Sequence, residues 1–357
     1  MKIVADSKIP YLKGLLEPVA QEVAYVPGGE IDNATVRDAQ VLLTRTRTRC
    51  DRALLEGSKV EFIGTATIGM DHIDLDYCRH HGIAVENAPG CNAPAVAQWV
   101  HASILQWAQA RNIKQPLTLG IVGVGHVGSI VARWARQLGY RVLLNDPPLA
   151  DKNAHHSPLT SHLSPLPSPF SPLTSTHSPL PTPLSPLPLL QRECDIITFH
   201  TPLTREGKYP TWHLCDKDFL DGMQRCKLII NAARGAVCDN EALLQWHGDL
   251  ALDCWEGEPS INRNLLNKAM VATPHIAGYS LQGKQRGTAM IVEALNRRYG
   301  WHITPQQAST PLKGASVVTA QSILDSYNPL ADTARLKASP ETFEQQRNSY
   351  TLREETR

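Results

Sequence analysis

The sequence predicts an α/β fold, because short apolar segments alternate with helical patterns along most of the chain. A glycine-rich turn between an apolar strand and a helix indicates a doubly wound parallel sheet. The chain has 357 residues, enough for two domains with a substantial core. In the first third, the pattern predicts a long helix over 92–111 and strands at 2–5, 40–44, 61–65 and 83–85.

The composition excludes several classes of partner. The chain carries 35 basic and 34 acidic residues, so neither nucleic acid nor a charged membrane surface is expected as the main partner. The first residues, MKIVADSKIP, lack the apolar stretch of a signal peptide, and no apolar run approaches the length of a membrane-spanning helix. We therefore expect a cytoplasmic protein. The eight cysteines form no CxxC pair, which predicts reduced structural thiols and no metal site.

The middle of the chain contains a nucleotide-binding motif. Its parts follow one another as strand (117–122), turn (Gly123, Gly125 and Gly128), helix (about 127–138) and strand (141–145). The second strand ends at Asp146, 18 residues after the last glycine. A lone GxGxxG is a weak signal, but a GxGxxG inside a β-α-β unit with a following acid predicts a dinucleotide site.

Each part of this motif has a physical role. The first glycine allows the tight turn, the second lets the backbone approach a pyrophosphate, and the third lets helix and strand pack closely. The helix N-terminus faces the anion. Asp146 can accept hydrogen bonds from the ribose hydroxyls and would repel a 2′-phosphate, and prolines rather than an arginine follow it. We therefore predict NAD rather than NADP as the cofactor.

A tandem repeat follows the aspartate. The triplet Ser-Pro-Leu recurs at 157, 164, 171, 178 and 185, a strict spacing of seven residues. Every repeat contains proline, which excludes a continuous helix and therefore a coiled coil. We predict a disordered or polyproline-like insertion in a surface loop over about 154–188. A ligand for an SH3-type domain is a less favoured alternative, because no basic residue flanks the prolines.

The α/β pattern resumes after the repeat. Residues 190–201 again read as α/β, and strands are predicted near 227–231, 249–254 and 270–272. This order fits the second half of a doubly wound domain. The remainder of the chain is polar, with weak helical patterns at 317–328 and 340–353.

Charged side chains follow the three later strands. Arg234 comes just after the first, Asp253, Glu256 and Glu258 after the second, and His275 after the third. The carboxyl ends of parallel strands share one edge of the sheet, where ligands bind. An arginine can clamp a substrate carboxylate, a histidine can take a hydroxyl proton, and a carboxylate can orient the imidazole. Together they indicate a hydride-transfer site.

A cluster of arginines follows the strand at 40–44. The stretch VLLTRTRTRC would place Arg45, Arg47 and Arg49 on one face if it stayed extended. Two interpretations remain open at this point, a solvated strand edge or a site for a carboxylate or phosphate.

These motifs together resemble the D-isomer-specific 2-hydroxyacid dehydrogenases, and within them the branch that oxidises 4-phospho-D-erythronate during pyridoxal 5′-phosphate biosynthesis. The resemblance covers about residues 1–300 except the repeat. It is carried by FIGTATIGMDHID, APGCNAPAV, GIVGVGHVG, NAARGAVCDNEALL, DCWEGEP and TPHIAGYSLQGKQRGT.

The resemblance implies site residues. Arg234, Glu258 and His275 match the catalytic residues, with His275 as proton donor and acceptor. The implied substrate contacts are Thr46, Thr67 and Tyr279. The implied NAD contacts are Gly123, Gly125, His126, Val127, Gly128, Asp146, Thr201, Asp253 and Gly278.

The resemblance also implies an architecture and a reaction. We expect two Rossmann-like doubly wound domains, a substrate domain (1–92, completed by about 279–299) and an NAD domain (93–278). A short C-terminal α+β segment (300–357) would mediate homodimerisation. The expected product is 2-oxo-3-hydroxy-4-phosphobutanoate.

The substrate would carry a phosphate at the end opposite its carboxylate, and Arg45 and Arg49 are the predicted phosphate ligands. Arg47, which lacks a basic counterpart in the family pattern, should matter less. Two alternatives remain. One is a sister dehydrogenase acting on phosphoglycerate, glyoxylate or hydroxypyruvate, and the other is a non-catalytic NAD-sensing protein.

Overall fold

The computed structural model describes residues 1–114, 116–155, 183–305 and 317–356. The chain divides into two compact units. The first unit comprises Met1–Val96, Gly278–Val317 and Thr351–Arg357, and the second comprises Ala97–Ala277 and Val318–Tyr350. Strands and helices alternate in both units, which confirms the predicted α/β class.

The secondary structure is numbered in chain order. The strands are β1 (Lys2–Asp6), β2 (Glu22–Val26), β3 (Val41–Thr44), β4 (Phe62–Thr65), β5 (Ala84–Glu86), β6 (Thr118–Val122), β7 (Arg141–Asn145), β8 (Ile196–Phe199), β9 (Leu228–Asn231), β10 (Asp249–Leu252) and β11 (Val271–Ala272). The helices are α1 (Asn33–Val36), α2 (Arg52–Leu55), α3 (Leu75–His80), α4 (Ala93–Ala110), α5 (His126–Gln137), α6 (Pro147–His155), α7 (Leu187–Glu193), α8 (Lys217–Asp221), α9 (Asn240–Gln245), α10 (Arg263–Lys268), α11 (Leu281–Tyr299), α12 (Ala320–Ser326), α13 (Pro329–Ala338) and α14 (Phe343–Asn348).

The first unit contains a sheet of five parallel strands in the order β2-β1-β3-β4-β5. Its central strands are apolar on both faces, as expected for a parallel sheet covered on two sides. One face packs against α11 through a cluster that includes Ile3, Leu43, Phe62, Ile291 and Leu295. The alternate residues of the same strands pack with residues of α1, α2 and α3 in a second cluster that includes Val4, Leu42, Ile63, Val36, Leu54 and Cys78.

The strand order of this sheet changes direction between β1 and β3, so β2 lies on one side of β1 and the later strands lie on the other. Ligands bind at such switch points in open α/β sheets. The loops that meet here are joined by side-chain hydrogen bonds. Arg45 Nη1 donates to the Lys8 carbonyl at 3.1 Å, and Thr48 Oγ1 donates to the Gly28 carbonyl at 2.9 Å.

The second unit contains a sheet of six parallel strands in the order β11-β10-β9-β8-β6-β7. Its switch point lies between β6 and β8, and the glycine-rich turn directly follows β6. One large apolar cluster supports the sheet, with Phe199, Phe219, Leu243, Leu252 and Trp255 among its buried members. The predicted strands at 117–122, 141–145, 227–231 and 270–272 are each found within one residue of their expected bounds.

Several expectations differ from the structure in detail. The strand β2 was not predicted, because it is an edge strand whose residues are only half buried. The stretch 190–201, by contrast, agrees with its α/β prediction, since it contains the end of helix α7 and strand β8. The arginine-rich stretch does not stay extended, since β3 ends at Thr44 and the chain turns at 46–48. Arg45, Arg47 and Arg49 therefore do not form one strand face.

Most of the predicted repeat insertion lies outside the described residues. Its expected range of 154–188 is nevertheless too long at the C-terminal end. Leu184 forms a parallel bridge with Leu144, and Asn145 Nδ2 donates to the Ser185 carbonyl at 2.8 Å. Helix α7 begins at Leu187. The last residues of the predicted loop are therefore part of the second unit.

The final part of the chain differs from the separate segment expected over 300–357. Residues 318–350 group with the second unit, whereas residues 351–357 group with the first. Charged side chains near the end of the chain are buried. Arg353 is 9% exposed and Glu355 is 7% exposed.

The first unit also extends to residue 96, four residues beyond its expected boundary at 92.

Within the described ranges, none of the helices combines the length and apolar character needed to cross a membrane. All eight cysteines are free thiols, and seven of them are buried.

Candidate active site

The glycine-rich turn of the second unit is shaped for close backbone approach. Gly123 has a φ of +90°, which favours glycine, and a Cβ there would lie 2.8 Å from the His200 backbone. A Cβ on Gly128 would lie 2.0 Å from the Gly123 carbonyl oxygen. Gly125 differs, because a Cβ there would meet no atom within 4 Å. The first and third glycines are therefore required by packing, and the second faces open space.

Helix α5 begins directly after Gly125, and no side chain caps its N-terminus. At the start of this helix, His126 is exposed and Val127 is half buried. The uncapped amide groups and the helix dipole favour an anion at this end. Open space over Gly125 and an uncapped helix start are the features that a pyrophosphate requires, so this turn fits a dinucleotide.

Asp146 lies beside the same turn at the end of β7. Its Oδ2 accepts a hydrogen bond from the Val124 amide at 2.8 Å, and its Oδ1 accepts one from the Leu149 amide at 2.9 Å. The carboxylate is half buried and fixed in place by these two amides. Thr201, after β8, has a buried Oγ1 with no hydrogen-bond partner among the residues that the structure describes. An unpaired buried hydroxyl next to the switch point is consistent with a ligand at this edge.

Arg234, Glu258 and His275 follow the adjacent strands β9, β10 and β11 at one edge of the sheet. His275 Nδ1 and Glu258 Oε1 are 2.6 Å apart, so the predicted histidine–carboxylate pair is formed. His275 has a φ of +56°, a left-handed conformation that a non-glycine residue rarely adopts. Its amide donates to the Asp253 carbonyl at 2.8 Å, which holds this strained residue in position.

The pair has perturbed pKa values. Burial opposes ionisation of Glu258, but His275 and Arg347 outweigh it and hold the pKa of this carboxyl below its usual range. Burial disfavours the charged imidazole, but contacts with Cys254 and Glu258 raise the pKa of His275 well above its usual value. Burial also raises the pKa of the Cys254 thiol, which is therefore neutral at pH 7. Glu258 is thus the partner that supplies negative charge to the imidazole.

Asp253 has a structural role that the sequence did not indicate. Its Oδ1 accepts hydrogen bonds from Thr273 Oγ1 at 2.6 Å and from the Ile276 amide at 2.7 Å. Its Oδ2 accepts one from the Ala277 amide at 3.0 Å. The side chain is 1% exposed. Asp253 therefore organises the 273–277 loop that carries His275, and the predicted NAD contact stays a prediction.

The loop that carries Arg234 is packed against the loop that carries Glu258. Asn231 Nδ2 donates to the Arg234 carbonyl at 2.9 Å, and Arg234 Nη1 donates to the Ala233 carbonyl at 2.9 Å. A Cβ on Gly235 would lie 2.0 Å from the Trp255 carbonyl carbon, so only glycine fits. Asn231 and Gly235 were not predicted as site residues, although both stand in the quoted NAARGAV stretch.

The first unit holds the predicted substrate contacts. A cavity of about 500 Å³ is lined by Thr46, Arg47, Arg49, Asp51, Asp71, His72, Ile73 and Asp74. Thr67 Oγ1 lies 2.7 Å from Thr65 Oγ1 and donates to the Gly69 carbonyl at 3.1 Å. Arg45 is half buried and does not line the cavity.

Gly278 and Tyr279 lie together in the first unit, just before α11. A Cβ on Gly278 would lie 2.1 Å from Asn92 Nδ2, so the backbone approaches that side chain closely. The Lys284 ammonium lies 4.2 Å from the centre of the Tyr279 ring. The predicted site residues thus form one group in each unit. Gly278, a predicted NAD contact, lies in the first unit with the predicted substrate contacts.

Comparison with known proteins agrees with this geometry. The model for "D-isomer specific 2-hydroxyacid dehydrogenase, catalytic domain" matches residues 3–310. A doubly wound sheet with a glycine-rich turn and a histidine–glutamate pair at its edge defines the same class. The chain belongs to the D-isomer-specific 2-hydroxyacid dehydrogenases, a family of NAD-dependent oxidoreductases.

Among curated relatives, the erythronate-4-phosphate dehydrogenase of Bacteroides thetaiotaomicron is 45% identical, over 99% of this chain and 97% of the relative. That of Porphyromonas gingivalis is 39% identical, over 98% and 92%. Among solved structures, the TT0316 protein of Thermus thermophilus has a TM-score of 0.63 at 26% identity, over 85% of this chain and 99% of that chain. The D-lactate dehydrogenase of Aquifex aeolicus shares the fold, with a TM-score of 0.62 at 22% identity, over 84% and 96%.

Proposed function

We propose that the protein oxidises the C2 hydroxyl of 4-phospho-D-erythronate with NAD, giving 2-oxo-3-hydroxy-4-phosphobutanoate. The observation that carries the chemistry is the 2.6 Å contact between His275 Nδ1 and Glu258 Oε1. The choice of substrate is supported by the names of the relatives, which share 39–45% of their residues with this chain over nearly its full length.

The pair supports proton transfer in both directions. Glu258 occupies Nδ1 of His275, so Nε2 is the ring nitrogen that takes the proton from the C2 hydroxyl. The carboxylate fixes the tautomer and stabilises the imidazolium that forms. NAD, when bound, would supply the acceptor for the hydride from C2. In the reverse direction, the protonated imidazole returns its proton to the carbonyl oxygen.

Arg234 is the proposed ligand of the substrate carboxylate. A guanidinium can hold a carboxylate by two parallel hydrogen bonds, which fixes the orientation of C2 as well as the charge. The close packing of Gly235 on Trp255 fixes the backbone next to this arginine. The uncapped start of α5, Gly125 and Asp146 are the groups that would hold the pyrophosphate and ribose of NAD.

The substrate phosphate is proposed to bind the arginine-rich loop after β3. Arg49 lines the cavity with Thr46 and pairs with Asp51 at 2.8 Å, and its side chain is 84% exposed. Exposed ion pairs of this kind contribute little, so the pairing is easily exchanged for a phosphate. Arg45 stays a predicted ligand at the switch point, and the cavity adds Arg47 to the candidates. Thr67 and Tyr279 stay predicted substrate contacts.

A cytoplasmic location, a homodimer and a place in pyridoxal 5′-phosphate biosynthesis are parts of this proposal. The homodimer and the pathway are supported by the resemblance, and the location stays a prediction. Light scattering of the purified protein measures the oligomeric state directly, and a monomeric mass would exclude the dimer.

The test is NADH formation from 4-phospho-D-erythronate, compared with erythronate, phosphoglycerate and the reverse reaction with glyoxylate and hydroxypyruvate. We expect the highest kcat/KM for 4-phospho-D-erythronate. His275→Ala should lower kcat by about a hundred- to ten-thousandfold, the usual contribution of general acid–base catalysis.

In the same assay, Arg45→Ala or Arg49→Ala should raise KM for the phosphorylated substrate by about ten- to a hundredfold, and leave erythronate unaffected. A higher kcat/KM for an unphosphorylated acid would show that 4-phospho-D-erythronate is not the substrate. Absence of turnover on all of them would favour the NAD-sensing alternative.

A further inference from the structure

The segment Thr351–Thr356 lies against the residues that precede helix α11. Ser280 and Arg353 form a parallel bridge, and the Leu281 amide donates to the Arg353 carbonyl at 2.9 Å. The segment therefore runs parallel to Tyr279–Leu281 at this point and is joined to it by a single bridge. It is the last described part of the chain, and it returns to the first unit after residues of the second.

Arg353 donates hydrogen bonds to two backbone carbonyls of the first unit. Its Nη1 donates to the Tyr279 carbonyl at 3.2 Å, and its Nη2 donates to the Ala95 carbonyl at 3.1 Å. The side chain is 9% exposed, although arginine is almost never this buried without a specific set of acceptors. The planar guanidinium thus links the Tyr279 backbone to the start of helix α4.

Glu355, two residues further along the segment, is also buried and also binds the residues around the start of α11. Its carboxylate accepts hydrogen bonds from Ser280 Oγ, at 2.7 Å, and from Arg286 Nη2. Its amide donates to Gln282 Oε1 at 3.1 Å. Ser280 Oγ also accepts from the Gly283 amide at 2.9 Å, so α11 already has its own cap. The segment is therefore not needed to cap α11, and what it adds is a fixed position for the residues just before the helix.

Stability alone is a weak reason for this arrangement. A buried ion pair such as Arg286–Glu355 contributes little net free energy, because desolvation offsets most of the attraction. A hydrophobic segment would cover α11 equally well. Three polar attachments instead converge on Tyr279, Ser280 and Gln282, which stand in the stretch that carries the predicted substrate contact.

We propose that Arg353 and Glu355 are positioning residues, which fix the Gly278–Tyr279–Ser280 turn in the conformation that binds substrate. This inference rests on the proposed role of Tyr279. It assigns the segment Thr351–Thr356 to substrate binding rather than to the fold of the first unit.

The test uses the full-length protein and compares Glu355→Gln with Glu354→Gln. The two changes remove the same charge from neighbouring residues, of which only Glu355 is buried. Glu355→Gln should raise KM for 4-phospho-D-erythronate by roughly tenfold and change kcat little, because the displaced Tyr279 would bind the substrate and the transition state less tightly by the same amount. Glu354→Gln should behave as wild type. Arg353→Met should act like Glu355→Gln, and Arg353→Lys should restore part of the lost affinity.

A merely structural role would lower the melting temperature without changing KM, and that result would overturn the inference. Hydrogen exchange provides a readout that does not depend on turnover. The amides of 279–283 should exchange faster in Glu355→Gln and Arg353→Met than in wild type, and unchanged exchange would overturn the inference. If the wild type does not oxidise 4-phospho-D-erythronate, the proposed function fails, and hydrogen exchange alone decides whether the segment positions the turn.

Discussion

Gly125→Ala is a sharp probe of the cofactor site. The added Cβ would meet no atom within 4 Å, and Gly125 has a φ of −78°, which alanine adopts easily. Folding should therefore tolerate the change. Gly125 is the N-cap of α5, where alanine is less favoured than glycine, and this offsets the gain from restricting the unfolded chain, so we expect the free energy of unfolding to change by no more than about 1 kcal/mol. The same methyl group occupies the space that a pyrophosphate needs, so NAD affinity should fall at least about tenfold, or about 1.4 kcal/mol.

Gly128→Ala is the matched control. Its Cβ would lie 2.0 Å from the Gly123 carbonyl oxygen, and the backbone has to move. Overpacking of this kind costs about 1–3 kcal/mol, so stability and NAD affinity should fall together. Thermal unfolding and titration with NADH measure the two quantities separately. If Gly125→Ala binds NADH as tightly as wild type, the pyrophosphate does not cross this turn and the assigned cofactor site is wrong.

Three further results are expected. Glu258→Gln should move the acid limb of the kcat/KM profile for oxidation to lower pH. Oxidation needs a neutral His275, and the charge of Glu258 raises the pKa of this imidazole, so an unmoved limb would contradict the pairing. Asp146→Ser should reduce the preference for NAD over NADP, which we expect to be at least about tenfold in wild type, and equal use of both by wild type would refute the role of Asp146. Replacing 156–182 by a short Gly/Ser linker should leave kcat and the melting temperature nearly unchanged, since loop-closure entropy depends only weakly on length. Loss of folding would show that the repeat packs on the protein.

Local patterns predicted the elements whose stabilising contacts are local or fully apolar. Strands such as β1, β3 and β4 are continuous apolar runs, and α4 has apolar residues at helical spacing, so their existence and bounds were predictable. The edge strand β2 lacks this signal, because its residues are half buried. The alternating Thr-Arg stretch suggested a strand face, but Thr48 bonds the Gly28 carbonyl and the chain turns.

The site was predictable in part for the same reason. Arg234, Glu258 and His275 each follow a predicted strand, and parallel strands bring such residues to one edge. The role of Asp253 was not predictable, because its partners are amides of a loop whose conformation is defined only in the folded protein. Arg353 and Glu355 gave no sign of burial, since their acceptors and donors lie 69–258 residues away in the sequence.

The discontinuous first unit has a consequence for synthesis on the ribosome. Strands β1 to β5 emerge first, but one face of their sheet is covered by α11, and this helix is translated only after residues 97–277 of the second unit. The nascent sheet therefore carries exposed Ile3, Leu43 and Phe62 while more than half of the chain is still to be made. The unit whose strands are translated earlier is thus the one that is completed later. Chaperone binding and aggregation would act during the interval between these two events.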